Sequence, residues 1–399
     1  MSPIIRRLIV LLLFLLSLAI LSYAIHSLTV GNTLGGDFLV FHLAGNAALK
    51  GDNPYSNEVA RQVQLQFHKQ LAGPLEDQVG FAYPPYALFI LLPLLHLPFA
   101  WASAIWMAFL ILSVFFLLFS AYPRAPRWVV FSLFLLYPFD FGIILGNFNV
   151  LVAAVLVWLY ARMTSAEPDR PSLQILGGLM LAWTLIKPQF SWLFAAFLLL
   201  AALKRREWPF IISFSISLAA FITSSYLLVP NWPGLWLERL QKYSIYNQTW
   251  LDIIFFLRQF LSPAAAQAAG IILLFVLLLV GIQLYRRWKQ DKLQNLLLWA
   301  WCGLTVFLAH PRGKSYEHLV FLIPLLTWLL ERKSRWHIPP LIFWGGSILL
   351  SWACFVLQRL PSVPPAVAEA HFLILPPWML WLLHAPQSEF SSASPENPV

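Results

Sequence analysis

Long apolar runs broken by short polar turns make up most of this chain, and they leave it few possible folds. Hydrocarbon offers a peptide group no hydrogen-bond partner. A segment lying in it must therefore bond its own N–H and C=O groups, and for a single run that means an α-helix. A spanning helix takes about 20 residues. Apolar blocks of that order fall near 5–27, 99–121, 127–144, 147–162, 172–187, 190–204, 208–229, 262–286, 293–309, 317–331, 338–357 and 367–385. Lys and Arg number 26 and Asp and Glu 17 among 399 residues, or 11% charged, against about a quarter in a soluble domain. So few charges cannot cover a water-facing surface of this size. That excludes a soluble enzyme, a disordered chain and a nucleic-acid binder. The expected fold is an all-α polytopic membrane protein with about ten to twelve transmembrane helices. Residues 1–385 would form one transmembrane domain, and 386–399 a polar tail. Cys302 and Cys354 lie inside apolar runs and fit no metal or disulfide spacing.

The placement of charge sets the expected orientation. Arg6 and Arg7 precede the run Leu8 to Ile25, which is longer than a signal-peptide core. Ser22-Tyr23-Ala24 is a poor cleavage site, so the run reads as a retained helix with a cytoplasmic N-terminus. Lys187-Pro188-Gln189 interrupts the apolar stretch 173–203, and proline disfavours a helix interior. Two short helices with Lys187 at the tip follow from that break. Tyr86 to Leu97, framed by Pro84-Pro85 and Pro98, is too short to span and suits an interfacial helix. The basic loops then share one side. They hold Arg6, Arg7, Arg124, Arg127, Arg162, Arg170, Lys204, Arg205, Arg206, Arg286, Arg287, Lys289, Lys292, Arg332, Lys333 and Arg335, which the positive-inside rule makes cytoplasmic.

Polar groups collect on the opposite, outer side. A first outer loop spans 28–98 and a second 230–262, the latter with Trp232, Trp236, Tyr243, Tyr246 and Trp250. Three tight turns are also placed on that side, Gly146 to Asn149, Lys187 to Gln189, and His310 to His318. Ionisable groups at membrane depth are costly and mark functional sites. Asp37 is the leading catalytic candidate. It follows the first helix directly, after two glycines, and opens a short helix over 38–50 that puts Asp37, Phe41 and Ala44 on one face. On residue type alone, the plainer role for a carboxylate there is to cap that helix. Lys187, Arg312, Lys314 and His318 have the charge to bind a phosphate. They can equally contact lipid headgroups or snorkel to the interface. His42, Tyr83, Asn147, Asn149, Gln189 and Glu317 complete the candidate substrate-binding set. The two asparagines suit turn and capping roles as well.

The run Gly36-Asp37-Phe38-Leu39-Val40-Phe41, then Ala44-Gly45, Gly51-Asp52-Asn53-Pro54-Tyr55 and Phe81-Ala82-Tyr83-Pro84-Pro85, resembles glycosyltransferase family 87. The likeness continues through Leu92-Pro93-Leu94, Leu97-Pro98, Trp106, Gly146 to Asn149 and Lys187 to Gln189, and covers roughly residues 30–330. The chain departs from the family pattern at Asn147, where Gln is common. It departs again in a last outer motif that opens His310-Pro311 and ends Glu317-His318. The resemblance implies the GT-C membrane fold and a multi-spanning enzyme of the bacterial inner membrane. Such an enzyme moves mannose or another sugar from a polyprenyl-phosphate donor to a glycolipid or glycan on the outer face. It also implies that Asp37 is the catalytic acidic residue. With a monophosphate donor no cofactor or divalent metal is expected; the expected partners are the two substrates and membrane lipids. The alternative is a transporter or lipid flippase. It would carry polar residues at mid-membrane on broken helices, often in repeated halves, whereas the blocks between these motifs are almost purely apolar.

Overall fold

Apolar blocks become helices throughout the computed structural model, which describes residues 3–29, 34–73, 76–165, 169–246, 252–309, 315–331, 340–357 and 359–360. In chain order these are α1 (Pro3–Thr29), α2 (Gly36–Leu49), α3 (Asn57–Phe67), α4 (Phe99–Ala121), α5 (Arg127–Phe131) and α6 (Tyr137–Leu145). Then come α7 (Phe148–Met163), α8 (Pro171–Thr184), α9 (Pro188–Lys204), α10 (Trp208–Leu228) and α11 (Trp232–Tyr246). The last are α12 (Asp252–Leu257), α13 (Pro263–Arg286), α14 (Lys292–Ala309), α15 (Leu319–Glu331) and α16 (Pro340–Leu357). Three 3-10 segments join them, Pro85–Leu94, Ser132–Leu135 and Ser315–His318. The expected helix at 367–385 and the polar tail lie outside the described residues.

Among the described residues, α1, α4, α10, α13 and α14 are long and apolar enough to cross a membrane singly. The block expected as one helix over 127–144 is instead α5, a 3-10 turn and α6, with a 70° bend. Pro138 at the start of α6 is the cause. Its ring is incompatible with a helix continuing through residue 134, and Leu136 turns extended. Counting that pair as one broken span gives six. The helices α7 and α9 are apolar but shorter, at 16 and 17 residues. A helix held inside the bundle need not match the thickness of the lipid. Burial along α7 makes this plain, because every residue from Phe148 to Tyr160 is buried. A helix apolar on all sides belongs in an interior, and α4, α8, α9 and α15 surround it. By contrast, Leu12 on α1, Ile216 on α10 and Ile272 on α13 are each more than 60% exposed. Lipid is the solvent that tolerates such a surface.

The two ends of the bundle differ in chemistry. At one end basic loops knit together. Arg162 pairs with Asp169, Arg205 donates to the carbonyls of Met163 and Ser165, and Lys204 donates to the Trp288 carbonyl. At the other end the α1–α2 junction meets α4 and α6, where Ser103 Oγ donates to the Leu34 carbonyl and Gly35 N–H to that of Ile144. An apolar cavity of about 1300 Å³ runs between α1, α4, α7 and α8. Arg6, Ser120 and Trp158 line it near the basic end, and Tyr86, Phe89 and Trp183 near the other. Lys69 and Arg206 are exposed at opposite ends. Cysteines placed there singly, in a Cys354→Ala background, should label from opposite sides with an impermeant maleimide. One should react in intact cells and the other only after permeabilisation.

Candidate active site

The start of α2 positions Asp37. Gly35 caps this helix in a left-handed conformation (φ 96°), and a Cβ on it would lie 2.4 Å from Ser103 Oγ, so only glycine fits the turn. No side chain caps α2. Asp37 instead sits in the first turn, partly exposed, where the positive end of the helix dipole favours its negative charge. Its Oδ2 accepts a hydrogen bond from Asn147 Nδ2 at 2.5 Å. Asn147 is itself fixed from two directions. Its Oδ1 accepts from the Asn149 N–H at 2.8 Å and so caps α7, while its Nδ2 also reaches the Tyr316 hydroxyl at 3.0 Å. The capping role and a place beside the catalytic candidate therefore coexist in one amide.

Behind this layer lies a fully buried carboxylate, Glu317. Its Oε1 accepts from Lys187 Nζ at 2.5 Å and from Asn149 Nδ2 at 2.7 Å. Lys187 occupies the break between α8 and α9 and is itself buried. The hairpin expected from Lys187-Pro188-Gln189 is present, but its lysine faces an internal carboxylate. Removing one partner of such a pair leaves an uncompensated buried charge.

Two phenols line the same place. Burial pushes the Tyr83 and Tyr316 hydroxyls well above their ordinary range, and the negative charges of Asp37 and Glu317 push them further. Both stay protonated and can donate a hydrogen bond. The Tyr83 ring packs at a tilt against Phe41, 4.7 Å between centroids, one turn along α2 from Asp37. Tyr243 of α11 is close enough to act electrostatically on both phenols.

The structure thus brings together Asp37, Tyr83, Asn147, Asn149, Lys187 and Glu317. His318 follows Glu317 directly, buried with its ring edge-on to Phe307 at 4.8 Å. His42 makes other contacts. Its Nε2 donates to the Leu97 carbonyl at 3.2 Å, Phe38 and Phe99 flank its ring, and burial lowers its pKa despite that carbonyl. Gln189 is exposed in the first turn of α9. Arg312 and Lys314 lie outside the described residues. Tyr316 and Tyr243 were not among the residues expected from sequence. Tyr243 could have been found from the spacing of Trp232, Trp236, Arg239 and Tyr243, which puts them on one helical face.

Comparison with known proteins identifies a family. The sequence model of glycosyltransferase family 87 matches residues 81–311, more than half of the chain. The chain belongs to that family and is a membrane glycosyltransferase. No curated protein and no solved structure matches it.

The Lys187–Glu317 pair makes a prediction that is independent of turnover. Lys187→Met should destabilise the protein by about 3–5 kcal/mol, the usual cost of orphaning a buried charge. Adding Glu317→Gln should recover much of that loss. Thermal unfolding of the single and double variants in one detergent checks both.

Proposed function

We propose that this glycosyltransferase moves a sugar, mannose or another hexose or a pentose, from a polyprenyl-phosphate donor to a lipid-linked or glycan acceptor. The reaction would take place at the outer face of a bacterial inner membrane, with the basic end of the bundle in the cytoplasm. The observation that carries this reading is a partly exposed carboxylate, Asp37, oriented by a buried amide at the end of the bundle away from the basic loops. The apolar cavity supports a lipid donor. Its Tyr86 and Trp183 end is one ring layer from the site, since Trp183 meets Phe148 at 6.2 Å and Phe148 meets Phe41 at 4.4 Å.

In this mechanism Asp37 takes the proton of the acceptor hydroxyl as its oxygen attacks the anomeric carbon. The bond from that carbon to the phosphate oxygen breaks, and polyprenyl phosphate leaves with the electron pair. A single displacement inverts the anomeric configuration. The carboxylate needs no unusual pKa, because the hydroxyl becomes acidic only as the new bond forms. Asn147 holds Asp37 in place, and the Tyr83 and Tyr316 hydroxyls offer donors to sugar oxygens. Lys187 acts through Glu317. The pair anchors the segment that carries His318, and His318 joins Arg312 and Lys314 in meeting the leaving phosphate, where fixed cations favour the transition state.

Membranes given labelled polyprenyl-phosphate sugars should transfer label to an extractable lipid or glycan. Asp37→Asn should lower that transfer by roughly 10²–10⁴-fold, the usual worth of a general base, with the variant still folded. Near-normal turnover in this variant overturns the assignment. Asn147→Asp places a second carboxylate against Asp37 and favours its protonated form. The acid limb of the pH–rate profile should therefore move to higher pH, whereas Asn147→Ala should lower the rate without that displacement.

A further inference from the structure

Among the described residues, Lys187 and Arg239 are the lysine and arginine side chains that are almost wholly buried. Lys187 has Glu317. Arg239, on α11, has no such counterpart. Its Nη1 donates to Asn57 Oδ1 at a long 3.4 Å, and Nε and Nη2 are buried without a hydrogen-bond partner. Those two atoms form the side-on edge of the guanidinium, a pair of parallel N–H groups that matches two oxygens of one anion. This chain uses that edge elsewhere. Arg61 offers Nε and Nη2 to Glu58 at 2.8 and 2.9 Å, and Arg162 offers the same pair to Asp169.

The edge lies close to the candidate active site. Trp236, one turn earlier on α11, donates from Nε1 to the Ala82 carbonyl at 2.9 Å and so lays the helix along residues 80–83. Gly80 comes so close that a Cβ on it would lie 1.5 Å from Arg239 Nη2; the missing side chain makes room for the guanidinium. Tyr243, one turn later, acts electrostatically on Tyr83 and Tyr316, which border Asp37. A buried guanidinium with two N–H groups that no protein acceptor engages, on the helix that borders the site, is suited to an anion brought by a substrate.

We infer that Arg239 grips a phosphate oxyanion side-on through Nε and Nη2, and that this is the phosphate of the lipid donor. The inference rests on the lipid-phosphate reading given above. A phosphate group on the acceptor has the same chemistry, and the test separates the two sources. The full chain in lipid nanodiscs is titrated with sugar-free polyprenyl phosphate, and acceptor KM is measured in parallel. Arg239→Gln should weaken binding of polyprenyl phosphate by roughly tenfold or more, as loss of a bidentate charged contact does, and leave acceptor KM unchanged. Arg239→Lys should recover only part, because an ammonium lacks the fork. Gly80→Ala displaces the guanidinium without removing its charge and should weaken binding as well. If Arg239→Gln fails to fold, this variant decides alone. Unchanged binding in both Arg239→Gln and Gly80→Ala overturns the inference, and so does a rise in acceptor KM with donor binding intact. A wild-type protein that binds no polyprenyl phosphate overturns the functional reading instead.

Discussion

A carboxylate sealed away from water must find hydrogen-bond donors and positive charge, and Glu317 finds both in Asn149 and Lys187. Each donor belongs to a different part of the chain. Asn149 opens α7, Lys187 sits in the break between α8 and α9, and Glu317 lies in the short turn before α15. One buried oxygen therefore pins three elements at the same end of the bundle. The pinned start of α7 is also where Asn147 reaches across to Asp37. The catalytic candidate is partly exposed, but the groups that aim it are not. This is the division of labour that preorganisation calls for, a reactive group at the surface of a rigid, water-poor support.

The rest of the bundle provides an apolar, lipid-facing boundary and an apolar cavity. The aliphatic surfaces of α1, α10 and α13 face outward, while α7 forms the interior. The cavity between α1, α4, α7 and α8 is lined from Arg6 at one end to Tyr86 at the other, so an apolar chain in it could follow most of the bundle's length. Charge is spent sparingly. It marks the basic end, ties the Glu317 node, and leaves the side-on edge of Arg239 directed at no partner within the protein.

Much of the helical framework was legible in the sequence because apolar run length and proline placement act locally. The helix expected over 99–121 is α4 over the same residues, and Lys187-Pro188 does break a helix pair. The bend at Pro138 was missed because the block 127–144 is almost uniformly apolar, so hydropathy alone reads it as one span. The helix α11 falls in the segment 230–262, which reads as a loop from hydropathy, although its Trp, Arg and Tyr share a face. Asp37 stood out through its place after the first helix and its glycines. Its partner did not, because Asn147 is 110 residues away. Lys187 invited a phosphate for the same reason, since the carboxylate that engages it lies 130 residues further on. Pairings of that separation come from the fold and leave no local pattern.

The proposed mechanism places sugar transfer at Asp37, at the end of the apolar cavity near Tyr86 and Trp183. A cryo-EM structure of the full chain in nanodiscs with an unreactive polyprenyl-phosphonate sugar tests it most directly. The expected density has the lipid tail in the cavity, the sugar ring between Tyr83 and Tyr316, and the anomeric carbon facing the Asp37 carboxylate across room for one hydroxyl. Sugar density at the basic end, or a bound donor whose anomeric carbon is out of reach of Asp37, would contradict it.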